Sequence, residues 1–167
     1  MKKRKSATSK SGREIPDSKS AERALRESAA RMQALFETAV DGAILIDAHG
    51  AVLMFNPACE KLFGYAADEV VGKNVKMLMP EPYRGEHDRY IKSYLDTGKP
   101  KIIGIGREVV GRRKDGSTFP MDLSVGEAAQ EGGAIFVGII RDITERKSTE
   151  RALRESAGRM RALFETG

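Results

Sequence analysis

Residues 22–38, ERALRESAARMQALFET, return almost unchanged at 150–166 as ERALRESAGRMRALFET, with differences only at Ala30/Gly158 and Gln33/Arg161. So faithful a repeat over a whole helix marks a repeating unit. It isolates 39–149 as one unit between two copies of the same helix. It also predicts that the chain is a fragment, with a second, similar domain beginning and truncated at Gly167. In the helix expected over 20–38, Ala21, Leu25, Met32, Leu35 and Phe36 form a narrow apolar seam among Glu22, Arg23, Arg26, Glu27 and Arg31. Such a seam suits a partner helix, and it equally suits a helix capping its own domain.

Inside the unit the periodicity changes. Gly42–Asp47 reads as a buried strand, Asp47-Ala48-His49-Gly50 as a hairpin turn and Ala51–Phe55 as the return strand. Gly50 stands where the turn needs positive φ, and His49 is expected to be exposed and without a role. Asn56 or Pro57 opens a short helix through Phe63, and Ala67–Val70 adds another helical turn. Three further strands are predicted at Glu108–Lys114, Thr118–Ala128 and Ala134–Arg141, the first two joined by the Asp115-Gly116 turn. Phe119, Met121, Leu123 and Val125 alternate along one face of the second. Asp142 or Thr144 caps the last helix. The expected fold class is α+β, a five-stranded antiparallel sheet with short helices on one face and a pocket between them, flanked by N- and C-terminal coiled-coil-type helices.

Between Pro82 and Gly98, His87, Tyr90, Ile91, Tyr94 and Leu95 fall at helical spacing on one face. Asp88, Arg89, Lys92, Ser93 and Asp96 take the other side. An inward imidazole on such a helix is either a satisfied core residue or a metal ligand, and spacing leaves both open.

The formal net charge of +5 is concentrated at the start, where Lys2, Lys3, Arg4, Lys5, Lys10 and Arg13 meet no acid within 13 residues. That gives a disordered basic leader over 1–19, an N-terminal signalling or capping helix over 20–38, a globular domain over 39–143 and a C-terminal linker helix over 144–167. No aromatic residue is interleaved with the leader, so nucleic acid is not expected as a partner. No apolar run reaches membrane-spanning length, and no h-region follows the basic start. Cys59 is the single cysteine, which excludes an internal disulfide and fits a reducing, cytoplasmic compartment.

Several phrases together resemble a PAS domain over 31–149: Asp47-Ala48-His49-Gly50, Asn56-Pro57-Ala58, Phe63-Gly64-Tyr65, Gly72-Lys73-Asn74, Arg113 through Pro120, and Asp142-Ile143-Thr144-Glu145-Arg146-Lys147. Met79-Pro80-Glu81-Pro82, His87-Asp88, Tyr90-Ile91, Ile102 through Arg107 and Phe119-Pro120-Met121 resemble, more narrowly, the haem-binding PAS domain of the FixL-type oxygen sensors. That resemblance implies His87 as the ligand of haem iron and Arg107 as the hydrogen-bond donor to bound oxygen. It also implies Ile102, Leu123 and Val125 as the side chains crowding the gas, with Met121 beside them. Where the family often has a histidine and an arginine near the haem propionates, this chain has Lys101 and Ser93; Lys101 keeps the charge to pair with a propionate.

The residues are consistent with that chemistry on their own terms. Haem needs a neutral imidazole on a rigid element in an apolar slot, and His87 among Tyr90, Ile91 and Tyr94 meets this. Arg107 offers fixed charge and several N–H donors. No Cys-x-x-Cys-His run exists, so the cofactor would be noncovalent haem b. A flavin photoreceptor of the PAS type is disfavoured, because Val75 stands after Asn74 where a cysteine is needed. No catalytic set stands out, so the chain is read as a sensor fragment rather than an enzyme. Its expected partners are haem, a diatomic gas (oxygen, carbon monoxide or nitric oxide) and a second copy through the flanking helices. A histidine kinase of a two-component system or a cyclic-dinucleotide enzyme would follow as output. The alternative is a ligand-free PAS module for dimerisation and relay; a pocket for a different small ligand is a third.

Overall fold

The computed structural model describes residues 17–98, 106–130 and 132–165. The chain divides after Leu35 into two compact units. The first holds the greater part of α1 (Ser18–Thr38), a helix with no buried residue. It begins earlier than expected, with Asp17 O accepting from the amides of Ser20 and Ala21. The expected leader therefore ends before Ser18, and its first 16 residues lie outside the described ones.

The second unit contains β1 (Gly42–Asp47), β2 (Val52–Phe55), α2 (Pro57–Phe63), α3 (Ala67–Val70), a 3-10 turn (Val75–Leu78), α4 (Tyr83–Thr97), β3 (Arg107–Arg112), β4 (Thr118–Gln130), β5 (Gly133–Asp142) and α5 (Thr144–Glu165). The strands form one five-stranded antiparallel sheet in the order β2-β1-β5-β4-β3. The α+β expectation and its antiparallel sheet are thus observed.

Local chemistry explains the elements. Asp47 Oδ1 accepts from the amides of His49 (2.8 Å) and Ala51 (2.9 Å), which folds the first hairpin over Gly50 at φ 81°. His49 is exposed, as expected. β3 ends sooner than predicted, because Arg113 N donates to Ser117 O and draws Arg113 and Lys114 into the turn. Asn74 caps the unforeseen 3-10 turn by accepting from Lys76 N at 3.0 Å. Gly98 ends α4 at φ 63°. Asp142, rather than Thr144, caps α5, its Oδ1 accepting from Thr144 N at 2.8 Å.

The core sits where α2 meets the sheet. Asn56 is fully buried and fully used. Its Oδ1 accepts from the amides of Ala43 (2.9 Å) and Cys59 (3.0 Å), and its Nδ2 donates to the carbonyls of Phe36 and Asp41. Around it Val52, Cys59, Phe63 and Val70 have no exposed surface, and Phe63 packs edge-on against Phe119 with centroids 5.3 Å apart. Burial pushes the Cys59 thiol up to about 12, so it is a packed, inert group.

Candidate functional site

One face of the sheet continues past this core into a hollow roofed by α4. Ile44, Ile46, Met121, Leu123, Val125 and Phe136 form its sheet wall; His87, Tyr90, Ile91 and Tyr94 project from α4; Val75, Leu78 and Met79 close the side. The alternation along β4 puts Met121, Leu123 and Val125 here, as their spacing required. The cavity they line is about 130 Å³. That volume is below the usual range of small-molecule sites.

His87 is the one imidazole in the lining. Its Nδ1 has no solvent contact and no hydrogen-bond partner. An orphaned buried polar atom is uncommon in a folded protein and calls for a cause. Burial holds the His87 pKa below its ordinary 6.5, opposed by the nearby Asp88 carboxylate and helped by Lys76. The ring is therefore neutral at pH 7, the state in which imidazole binds a metal.

The tyrosines are anchored. Tyr90 donates to Glu86 Oε2 at 2.5 Å, and Tyr94 donates to Glu127 on β4 while its ring stands edge-on to Phe136 at 5.9 Å. These bonds raise both phenol pKa values. Lys76 ties the 3-10 turn to Asp88 on α4 at 2.5 Å. No residue of α4 is fully buried, and Leu95, expected on the inner face, is 45% exposed. Leu95 sits about 80° round the helix from His87, outside the arc spanned by Tyr90, Ile91 and Tyr94.

Arg107 opens β3 opposite Leu123, so it belongs to the pocket face of the sheet, at the rim. It is exposed, and its charge reaches the Tyr90 hydroxyl. Its chain neighbour Glu108 pairs with Arg146 and Lys147. Lys101 and Ile102 lie outside the described residues, as do Gly104 and Ile105. The structure therefore brings together His87, Tyr90, Tyr94, Met121, Leu123 and Val125, with Arg107 at the edge. Sequence reasoning missed Phe136, Ile44 and Ile46 as wall residues, although their alternation in predicted strands carried the signal. The Tyr94–Glu127 bond joins positions 33 residues apart and left no local trace.

The PAS fold family profile matches residues 30–143. The chain belongs to the PAS family. Among curated proteins it is similar to Sensor protein FixL of Bradyrhizobium diazoefficiens, 46% identical over 85% of this chain and 28% of that protein. It is also similar to Oxygen sensor protein DosP of Escherichia coli, 38% identical over 60% of this chain and 13% of that protein. The chain thus spans about a quarter or less of these relatives. Among solved structures, the PAS domain of an HTR-like protein from Haloarcula marismortui covers 75% of this chain and is itself 99% covered, at 27% identity and a TM-score of 0.60. Among the described residues no helix is long and apolar enough to cross a membrane.

The side chains of this PAS pocket have the chemistry that a noncovalent haem would use, in a cavity of about 130 Å³. One neutral imidazole with an unpartnered nitrogen stands among aliphatic, thioether and aromatic groups, and His87 would be the residue to hold the iron.

Proposed function

We propose that this PAS domain is a haem-based gas sensor with oxygen as its gas, relaying ligand state to an output module of a longer cytoplasmic signalling protein. The orphaned Nδ1 of His87 in an apolar pocket carries the reading. The similarity to Oxygen sensor protein DosP supports it. So does the match of His87, Arg107 and the β4 wall to the FixL-type pattern. His87 would hold the iron, and Tyr90, Tyr94, Met121, Leu123 and Val125 would flank the macrocycle; the FixL-type resemblance also assigns roles to Lys101 and Ile102. Bound haem supplies an iron that takes up a diatomic gas reversibly.

The protein's own part is positional. His87 stays neutral because burial disfavours its charge. Leu123 and Val125 line the pocket and would restrict the space left for a gas. Arg107 brings permanent charge and N–H donors to the rim, where they would favour oxygen, the better hydrogen-bond acceptor, over carbon monoxide. The flanking helices, with Leu153, Met160, Leu163 and Phe164 exposed along α5, would pair with a second copy and pass the signal on. A histidine kinase or a cyclic-dinucleotide enzyme would serve as output.

A ligand-free relay module is the second reading, favoured by the small cavity of about 130 Å³. The visible spectrum of protein expressed with haem supplied separates the two. A Soret band present in the parent and absent in His87→Ala supports the sensor; colourless protein in both cases leaves the relay. Arg107→Ala should then raise the oxygen off-rate far more than the carbon monoxide off-rate.

A further inference from the structure

The sheet face turned away from the pocket carries a charged arrangement that ligand binding does not use. Glu108 on β3 and Asp122 on β4 are direct cross-strand partners, one register step from the Arg107–Leu123 pair. Two carboxylates so placed repel. Arg146, in the first turns of α5, answers both: its guanidinium reaches Glu108 Oε1 at 2.7 Å and Asp122 Oδ2 at 3.1 Å. Lys147 pairs with the other oxygen of Glu108, and Glu150 stands 3.7 Å from Arg146 Nε on the next turn. Along β3 and β4, successive residues point to opposite faces. Leu123 thus faces the pocket while its neighbour Asp122 grips α5, and Arg107 stands at the rim while its neighbour Glu108 does the same.

We infer that Glu108 and Asp122 are positioning residues that couple the state of the pocket to α5 through Arg146 and Lys147, directly across the sheet. The backbone path through Asp142 into α5 is then secondary. The coupling rests on the proposed reading that the pocket responds to a ligand, though not on which ligand fills it. A shift of β3 against β4 at the pocket wall changes the spacing of the two carboxylates, and a bidentate guanidinium is geometrically exacting about that spacing. Each ion pair is exposed and weak by itself. The network therefore acts by orienting the start of α5 rather than by holding the fold together.

Amide hydrogen exchange of residues 146–153 in the full chain tests this. Two perturbations are applied from the pocket side: carbon monoxide added to the reduced, haem-loaded protein, and Leu123→Trp in protein without haem, with Val125→Phe replacing it should the tryptophan variant unfold. In the parent each should shift the exchange of the α5 segment. In Glu108→Gln/Asp122→Asn the shift should be lost, while the Soret change on adding gas is kept. Reversing all charges (Glu108→Lys, Asp122→Lys, Arg146→Glu, Lys147→Glu) should restore it. A shift that persists without the carboxylates overturns the inference, as does an α5 segment indifferent to the pocket in the parent. Absence of a Soret band removes the haem reading alone, since the Leu123→Trp comparison still decides the coupling.

Discussion

The α2 end of the sheet and the α4 end are built by opposite rules. Around α2 every polar group of Asn56 is satisfied, and Val52, Cys59, Phe63 and Val70 are wholly enclosed. Around α4 no helical residue is fully buried, an imidazole nitrogen has no partner, and surface pairs such as Lys76–Asp88 and Tyr94–Glu127 fasten the helix. Tight packing leaves a single arrangement, whereas exposed tethers permit several at low cost. One end is a frame packed from within; the other is a wall fastened from the surface.

The contrast breaks most severely at Phe63. Phe63→Ala should cost about 4 kcal/mol, from lost burial plus an unfilled cavity, read from urea unfolding. Asn56→Ala should follow at about 3 kcal/mol, because the amides of Ala43 and Cys59 lose their acceptor inside the core. Substitutions on α4 should stay well below either, and an α4 variant as damaging as these would erase the distinction.

At His87 the effect should change sign. In protein without haem, His87→Leu should stabilise by about 1 kcal/mol, since an unpartnered buried polar atom is replaced by an apolar group of similar size. The folded-state pKa of His87 lies below the ordinary 6.5. Below pH 6.5 the unfolded chain therefore binds more protons than the folded one, so stability falls as pH is lowered through that point. His87→Leu should flatten the part of the stability profile just under pH 6.5; the depressed carboxylates of Asp41, Glu69, Glu108 and Asp115 act lower, near and below their ordinary values of 3.8 to 4.5. Smallest is Tyr94→Phe, expected to alter global stability by under about 0.5 kcal/mol. It should nonetheless speed amide exchange along α4 while leaving α2 unchanged, which locates the mobility without disturbing the fold.

Hairpin turns were legible in the sequence because Asp47, Gly50, Asp115 and Gly116 act within a few residues of themselves. The inner arc of α4 was legible because His87, Tyr90, Ile91 and Tyr94 share a 3.6-residue period, and Leu95 failed only for lying past its margin. What escaped were couplings between distant strands and helices: Glu127 answering Tyr94, and Arg146 answering Glu108 and Asp122. Ion pairs across such separations leave no periodic signature, because any surface carboxylate reads alike until the chain is folded. The proposed iron ligand stood out in sequence through the FixL-type resemblance, while its missing hydrogen-bond partner could be seen only in three dimensions.

The placement of Asn56 ahead of Pro57 has a bearing on chemical ageing. Asparagine deamidates when the next backbone nitrogen attacks the side-chain amide, and a proline nitrogen carries no hydrogen to release in that ring closure. The amide that joins Phe36 and Asp41 to β1 and α2 is thereby shielded from spontaneous conversion to aspartate, a change that would set a negative charge against two carbonyl oxygens. An old molecule of this protein should keep that joint as sound as a freshly synthesised one.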